Sequence, residues 1–148
     1  MKGHRFIIAT IFLGVSMSFS SCRKDISLPD PSLSKLFGSW EWVQTSGGFA
    51  GEIITPSSQG FTQSISFESN GIYKLYKDGI QKEKKTFTLS EGISILTNTS
   101  AWMIRYKDTG IGDHSENAIA QSVRFSGQDS LFLADEAFDG YNYVYIRK

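Results

Sequence analysis

Few side chains in this sequence could do covalent or acid–base chemistry. There is one cysteine, Cys22, and there are two histidines, His4 and His114. With no second thiol for a disulfide, Cys22 is either a reactive group or an attachment point. His114 lies in the polar run from Gly112 to Glu116, beside Asp113. Neighbours within one loop seldom converge on an ion, and no thiolate accompanies them, so the expectation is an exposed loop imidazole and no metal. A Ser-His-Asp triad needs a buried carboxylate and an activated serine, and no nucleophile-elbow sequence supplies one. The glycine-rich stretch from Gly47 to Gly51 lacks the following Lys-Ser/Thr and the helix of a phosphate loop, and reads as a loop at one end of the fold. Asp135, Glu136 and Asp139 flank an Asp139-Gly140 turn and read as solvated carboxylates, since a glycosidase pair requires a set separation across a cleft. The run Lys82 to Lys85 reads as a solvated or edge-protecting face. The expectation is a non-catalytic protein without a cofactor.

Cys22 gains meaning from the residues before it. Lys2 and Arg5 are followed by an uncharged, mostly apolar stretch from Phe6 to Phe19, then Ser20 and Ser21. Basic, then apolar, then small is the order of a secretory signal. The stretch is shorter than the roughly 20 residues of a membrane-spanning helix. Together with Cys22 it resembles the lipobox of bacterial lipoproteins, with Phe19 where leucine is usual. That resemblance implies residues 1–21 as a signal peptide and a diacylglyceryl group on Cys22, the first residue after cleavage. It also implies a protein held at the cell envelope, on the outer membrane, by an N-terminal lipid. Two or more acyl chains hold a protein on a bilayer where one does not. Ordinary cleavage after Ser20 is the competing reading.

The chain beyond the leader has the length of one domain. Of 15 basic and 15 acidic side chains in the sequence, Lys2 and Arg5 leave with the leader, so the remainder is weakly acidic. No basic field exists to bind nucleic acid. Residues 22–35, polar and interrupted by Pro29 and Pro31, read as a flexible tether, with one helical turn from Ser34 to Phe37. Residues 36–148 read as the folded domain. Period-two alternation marks strands at 38–44, 62–68, 72–77 and 82–89, then at 93–97 after a turn at Glu91-Gly92, and again at 102–107, 123–125, 131–133 and 141–145. Asn70-Gly71 and Asp78-Gly79 supply tight hairpin turns. This pattern predicts an all-β antiparallel up-and-down meander closing into a small barrel of about eight strands, because closure removes exposed edges. A two-sheet sandwich is the competing architecture.

Gly38 and Trp40 at the start of the domain, with Arg147 at its end, are similar to the Gly-x-Trp and late arginine of the lipocalin signature. The domain also resembles the lipocalin-like lipoproteins of Bacteroidota, including the stretch from Thr45 to Gly51 and Thr55-Pro56. The resemblance implies that Arg147 covers Trp40 and closes one end of the barrel. It also implies binding of a small apolar ligand in the interior. The aromatic residues Trp42, Tyr73, Trp102, Tyr106, Phe125 and Tyr143 are the expected lining, with a filled core as the alternative. The competing function is a structural or inhibitor-like envelope module that meets another protein through strand edges or the loop from Gly47 to Gly60.

Overall fold

The computed structural model describes residues 25–108 and 119–148, so Cys22 and His114 lie outside the described residues. The strands are β1 (Gly38–Gly47), β2 (Glu52–Ile54), β3 (Gln63–Phe67), β4 (Ile72–Lys77), β5 (Ile80–Ile93), β6 (Ser100–Asp108), β7 (Gln121–Ser126), β8 (Ser130–Asp135) and β9 (Tyr141–Arg147). From β3 to β9 each strand pairs antiparallel with the next, and β9 returns to β1 along a register running from Trp40↔Arg147 to Gly47↔Tyr141. The fold is therefore an eight-stranded up-and-down barrel, not a sandwich. The extra strand, β2, continues the edge of β1 beyond β3 through Thr45↔Ile54.

The hairpins form where backbone angles can turn positive. Gly71 has φ +80°, and the Asn70 side chain accepts from Ile72 N at 3.2 Å. Asp78 and Gly79 both take positive φ, as a two-residue hairpin turn requires. The turn expected at Glu91-Gly92 and the separate strand expected at 93–97 are both corrected. β5 runs straight through Gly92, which pairs with Ala101, and the chain turns at 94–99. There Ser94 Oγ accepts from Leu96 N and Thr97 N at 3.2 and 3.4 Å, and Asn98 takes the positive φ. Gly92 is a close-approach glycine: a Cβ added to it would stand 3.2 Å from Met103 Cγ.

Two bulges decide which side chains enter the barrel. In β1 the register passes from Trp42↔Tyr145 to Gln44↔Val144, leaving Val43 as the extra residue. Trp40 and Trp42 point inward, and after the bulge the inward place passes to Thr45, which is buried and accepts from Trp42 Nε1 at 2.9 Å. In β5 the register skips Lys82 between Tyr76↔Gln81 and Leu75↔Glu83. The buried core comprises Trp40, Trp42, Ile65, Phe67, Phe87 and Ile104 with their neighbours on β7 to β9. The Phe67 ring meets Tyr73 at 5.3 Å and Phe87 at 5.1 Å.

The flexible tether expected at 22–35 is corrected from Asp25 onward. Asp25 Oδ1 accepts from Ser69 Oγ at 2.8 Å, and Ile26 N donates to Ser69 O at 2.7 Å. A 3₁₀ helix, Pro31–Leu36, begins with Asp30 accepting from Ser32 N and buries Leu33 and Leu36, at 1% and 0% exposure. The polar composition concealed three well-spaced apolar residues, Ile26, Leu33 and Leu36. Burying a leucine contributes on the order of 1.5–3 kcal/mol, enough to hold a short strap on the barrel.

Candidate functional site

One end of the barrel is sealed. Trp40 is fully buried, and its Nε1 donates to Leu36 O at 2.8 Å, tying the strap to β1. The Arg147 guanidinium carbon stands 4.0 Å from the Trp40 ring. Its Nη1 donates to Phe37 O at 3.1 Å and its Nη2 donates to Lys35 O. Gly38, at φ +125°, leaves room for that guanidinium: a Cβ there would lie 2.8 Å from Nη1. Phe125 packs at this end, 6.3 Å from Trp40 with Lys35 over its ring.

The other end is open and holds a pocket of about 270 Å³ inside the barrel. Inward residues of β4, β6 and β9 place Tyr73, Tyr106, Tyr143 and Tyr145 around it, with Leu75 and Leu133 as hydrocarbon wall. Gln63, Gln121, Glu83 and Lys85 complete the lining. Lys85 Nζ pairs with Glu83 at 3.0 Å. A second hollow of about 250 Å³ adjoins it, sharing Gln63 and Tyr143 and reaching Trp42, Ile54 and Phe61. It lies beside a one-turn helix, α1 (Pro56–Gln59), whose Thr55 N-cap and Ser58 exchange capping hydrogen bonds.

Asp135 organises the mouth. Its Oδ1 accepts from Gln121 Nε2 at 2.8 Å, and its Oδ2 accepts from Tyr143 Oη at 3.3 Å and from Tyr141 N at 3.2 Å. Gln121 Oε1 in turn accepts from Tyr106 Oη at 2.8 Å. All four pocket tyrosines are held above their ordinary pKa. Burial is the main cause for each, helped at Tyr143 by the Asp135 carboxylate and opposed at Tyr145 by its hydrogen bond with Gln63. They are neutral phenols over the whole physiological range. The arrangement can hold and orient a small molecule through phenol faces, hydroxyls and carboxamides.

The six aromatic residues expected to line one cavity divide among several places. Tyr73, Tyr106 and Tyr143 line the mouth pocket and Trp42 the adjoining hollow. Phe125 packs at the sealed end. Trp102 borders a wider groove of about 750 Å³ that includes the outward rows of β7, β8 and β9 near the 94–99 turn. Ile95 N donates to Glu136 Oε2 at 2.8 Å and pins that turn, while Glu136 Oε1 is buried with no hydrogen-bond partner among the described residues.

Three charged residues stand where the sequence pattern did not place them. Glu83 and Lys85 line the pocket because they share the phase of Phe87 and Leu89, and extending that alternation backwards would have found them; Glu83 nevertheless keeps the exposure expected of a solvated face, and Lys85 is half-buried. Asp135, expected to be a solvated turn carboxylate, faces inward because it lies opposite Gln121 in the same phase as Leu131 and Leu133.

The fold and its pocket define a closed antiparallel β-barrel, sealed at one end and hollow at the other. No family model matches this chain, and neither curated proteins nor solved structures give a match.

Proposed function

We propose that this is a membrane-anchored lipoprotein of the cell envelope whose lipocalin-like barrel binds a small molecule without transforming it. The observation that carries this reading is the pocket inside the open end, walled by inward side chains from several strands and backed by a sealed opposite end. A barrel of this strand number either fills with its own side chains or leaves room for one small ligand. Cys22 precedes Asp25 by three residues, a reach of at most about 11 Å at roughly 3.6 Å per residue. Because Asp25 and Ile26 are fastened beside the β3–β4 turn at the sealed end, a lipid on Cys22 holds that end against the bilayer and turns the mouth away. The test has two parts. Intact mass of the membrane-extracted protein should carry acyl groups, and Cys22→Ser should release the protein from membranes. Native mass spectrometry of gently purified protein should retain a small adduct that is lost on unfolding. A Cys22→Ser protein still on the membrane would sink the anchor, and a bare mass after incubation with envelope extracts would sink the ligand.

One observation favours the second reading, a protein-interaction module. Phe49 and Phe138, 97% and 91% exposed, sit on neighbouring loops at the open end, where Gly48 N donates to Gly140 O at 3.4 Å. On that reading, Phe49→Ser with Phe138→Ser abolishes capture of a protein partner and leaves any small-molecule adduct intact.

A further inference from the structure

We infer that the mouth pocket takes a small uncharged polyhydroxylated molecule, of the size of one sugar unit, rather than an alkyl chain; this rests on the small-molecule reading above and names its ligand class. The hydrogen-bond directions are fixed from the back of the site. A carboxylate only accepts, so Asp135 turns the Gln121 amide to present Nε2 to it. That orientation leaves Gln121 Oε1 to accept from Tyr106, committing the Tyr106 proton, and the Tyr143 proton is committed to Asp135. Both phenol oxygens therefore retain lone pairs for a ligand's O–H or N–H groups. Tyr73 is 8% exposed, lines the same pocket, and its hydroxyl makes no hydrogen bond among the described residues. It is a donor and acceptor awaiting a partner.

The charged groups of the site already have partners. Glu83 is paired with Lys85, and Asp135 receives three donors. An anionic ligand would meet the Asp135 carboxylate with no free cation among the described lining residues to pair with, a cationic ligand would find that carboxylate already holding three donors, and an alkyl chain would strip water from the phenols and carboxamides without replacing its hydrogen bonds. Rings of Tyr73 and Tyr106, 4.8 Å apart, offer faces for the C–H surface of a sugar ring. The pocket of about 270 Å³ equals the share of about nine waters at roughly 30 Å³ each, room for a single sugar ring.

The experiment is saturation-transfer NMR on the full chain with three separate probe sets: free hexoses, pentoses and inositol; decanoate; and tetramethylammonium. Saturation transfer to a member of the first set is expected, with its affinity reduced about tenfold by Tyr73→Phe, a variant that keeps the ring and whose fold is checked by near-ultraviolet circular dichroism. As a second variant that adds bulk without touching the polar network, Leu75→Phe should also displace the sugar. Transfer to decanoate or tetramethylammonium alone overturns this inference while leaving small-molecule binding standing. No transfer to any of the three, together with a bare native mass, overturns both.

Discussion

Arg147 lies across the indole of Trp40, its guanidinium carbon 4.0 Å from the ring, so the last strand of the barrel is fastened to the first by a cation on an aromatic face. The same guanidinium donates to Phe37 O and Lys35 O, and one side chain thereby joins β9, β1 and the strap.

Those joined roles set the first expectation. Arg147→Ala should cost about 2–3 kcal/mol, since it removes the cation–π contact and leaves the carbonyls of Lys35, Phe37 and Gln128 without their donor. Arg147→Lys should recover only part of this, because an ammonium cannot lie flat on the ring and serve these carbonyls. In a urea double-mutant cycle, Trp40→Phe with Arg147→Ala should show a coupling of about 1 kcal/mol. Additive losses would mean that the two side chains are neighbours without interaction.

The strap carries a second expectation. Leu33 is 1% exposed, so Leu33→Ala should lower the unfolding free energy by about 2–4 kcal/mol. A freely moving tether would leave the urea midpoint unchanged.

Alkaline pH provides a third. Tyr73, Tyr106, Tyr143 and Tyr145 have folded pKa values raised above the ordinary value near 10, so the folded state holds protons that the unfolded state releases. Their contribution to stability is complete below about pH 10 and is lost as pH rises toward the folded values. Tyr73 and Tyr145, the most deeply set by exposure, together give a slope of up to about 3 kcal/mol per pH unit. Tyrosinate absorbance at these positions should therefore appear only with alkaline unfolding, and Tyr73→Phe should make that unfolding less steep. Smooth ionisation near pH 10 with the fold retained would contradict the buried placement.

Glycine positions at the mouth separate strain from contact. Gly47 has φ +128°, and a Cβ there would lie 2.4 Å from Gly140 O, whereas one on Gly51, at φ +64°, would meet nothing within 4 Å. Gly51→Ala should cost about 1 kcal/mol for the backbone alone. Gly47→Ala should cost at least about 2 kcal/mol, because the β1–β9 seam must also open. Equal losses in thermal denaturation would show that the seam yields freely.

Much of the architecture is legible in local pattern. Alternation at Ile65 and Phe67, at Leu131 and Leu133, and at Tyr143 and Tyr145 reports strands half-buried on one face, and Asn70-Gly71 and Asp78-Gly79 report hairpins between them. The strap at Asp25 to Leu36 is not legible in this way, because its apolar residues follow no regular period and their burial depends on a barrel end assembled from distant strands. The candidate site is legible only in part. Tyr73, Tyr106 and Tyr143 follow from alternation, whereas Glu83, Lys85 and Asp135 carry charges that composition assigns to solvent.

By itself, then, the sequence determined an all-β chain of short antiparallel strands, because side-chain alternation and turn residues are local properties that need no partner to be read. Tertiary structure alone decided the register in which β9 closes on β1, the change of phase at Val43 and Lys82, and the meeting of Asp135, Gln121 and the tyrosines at the mouth. The β1–β9 seam and its bulge at Val43 depend on register between the two ends of the chain, and the others on register between neighbouring strands that local alternation does not report. A shift of one residue in that register exchanges the inward and outward faces of a strand.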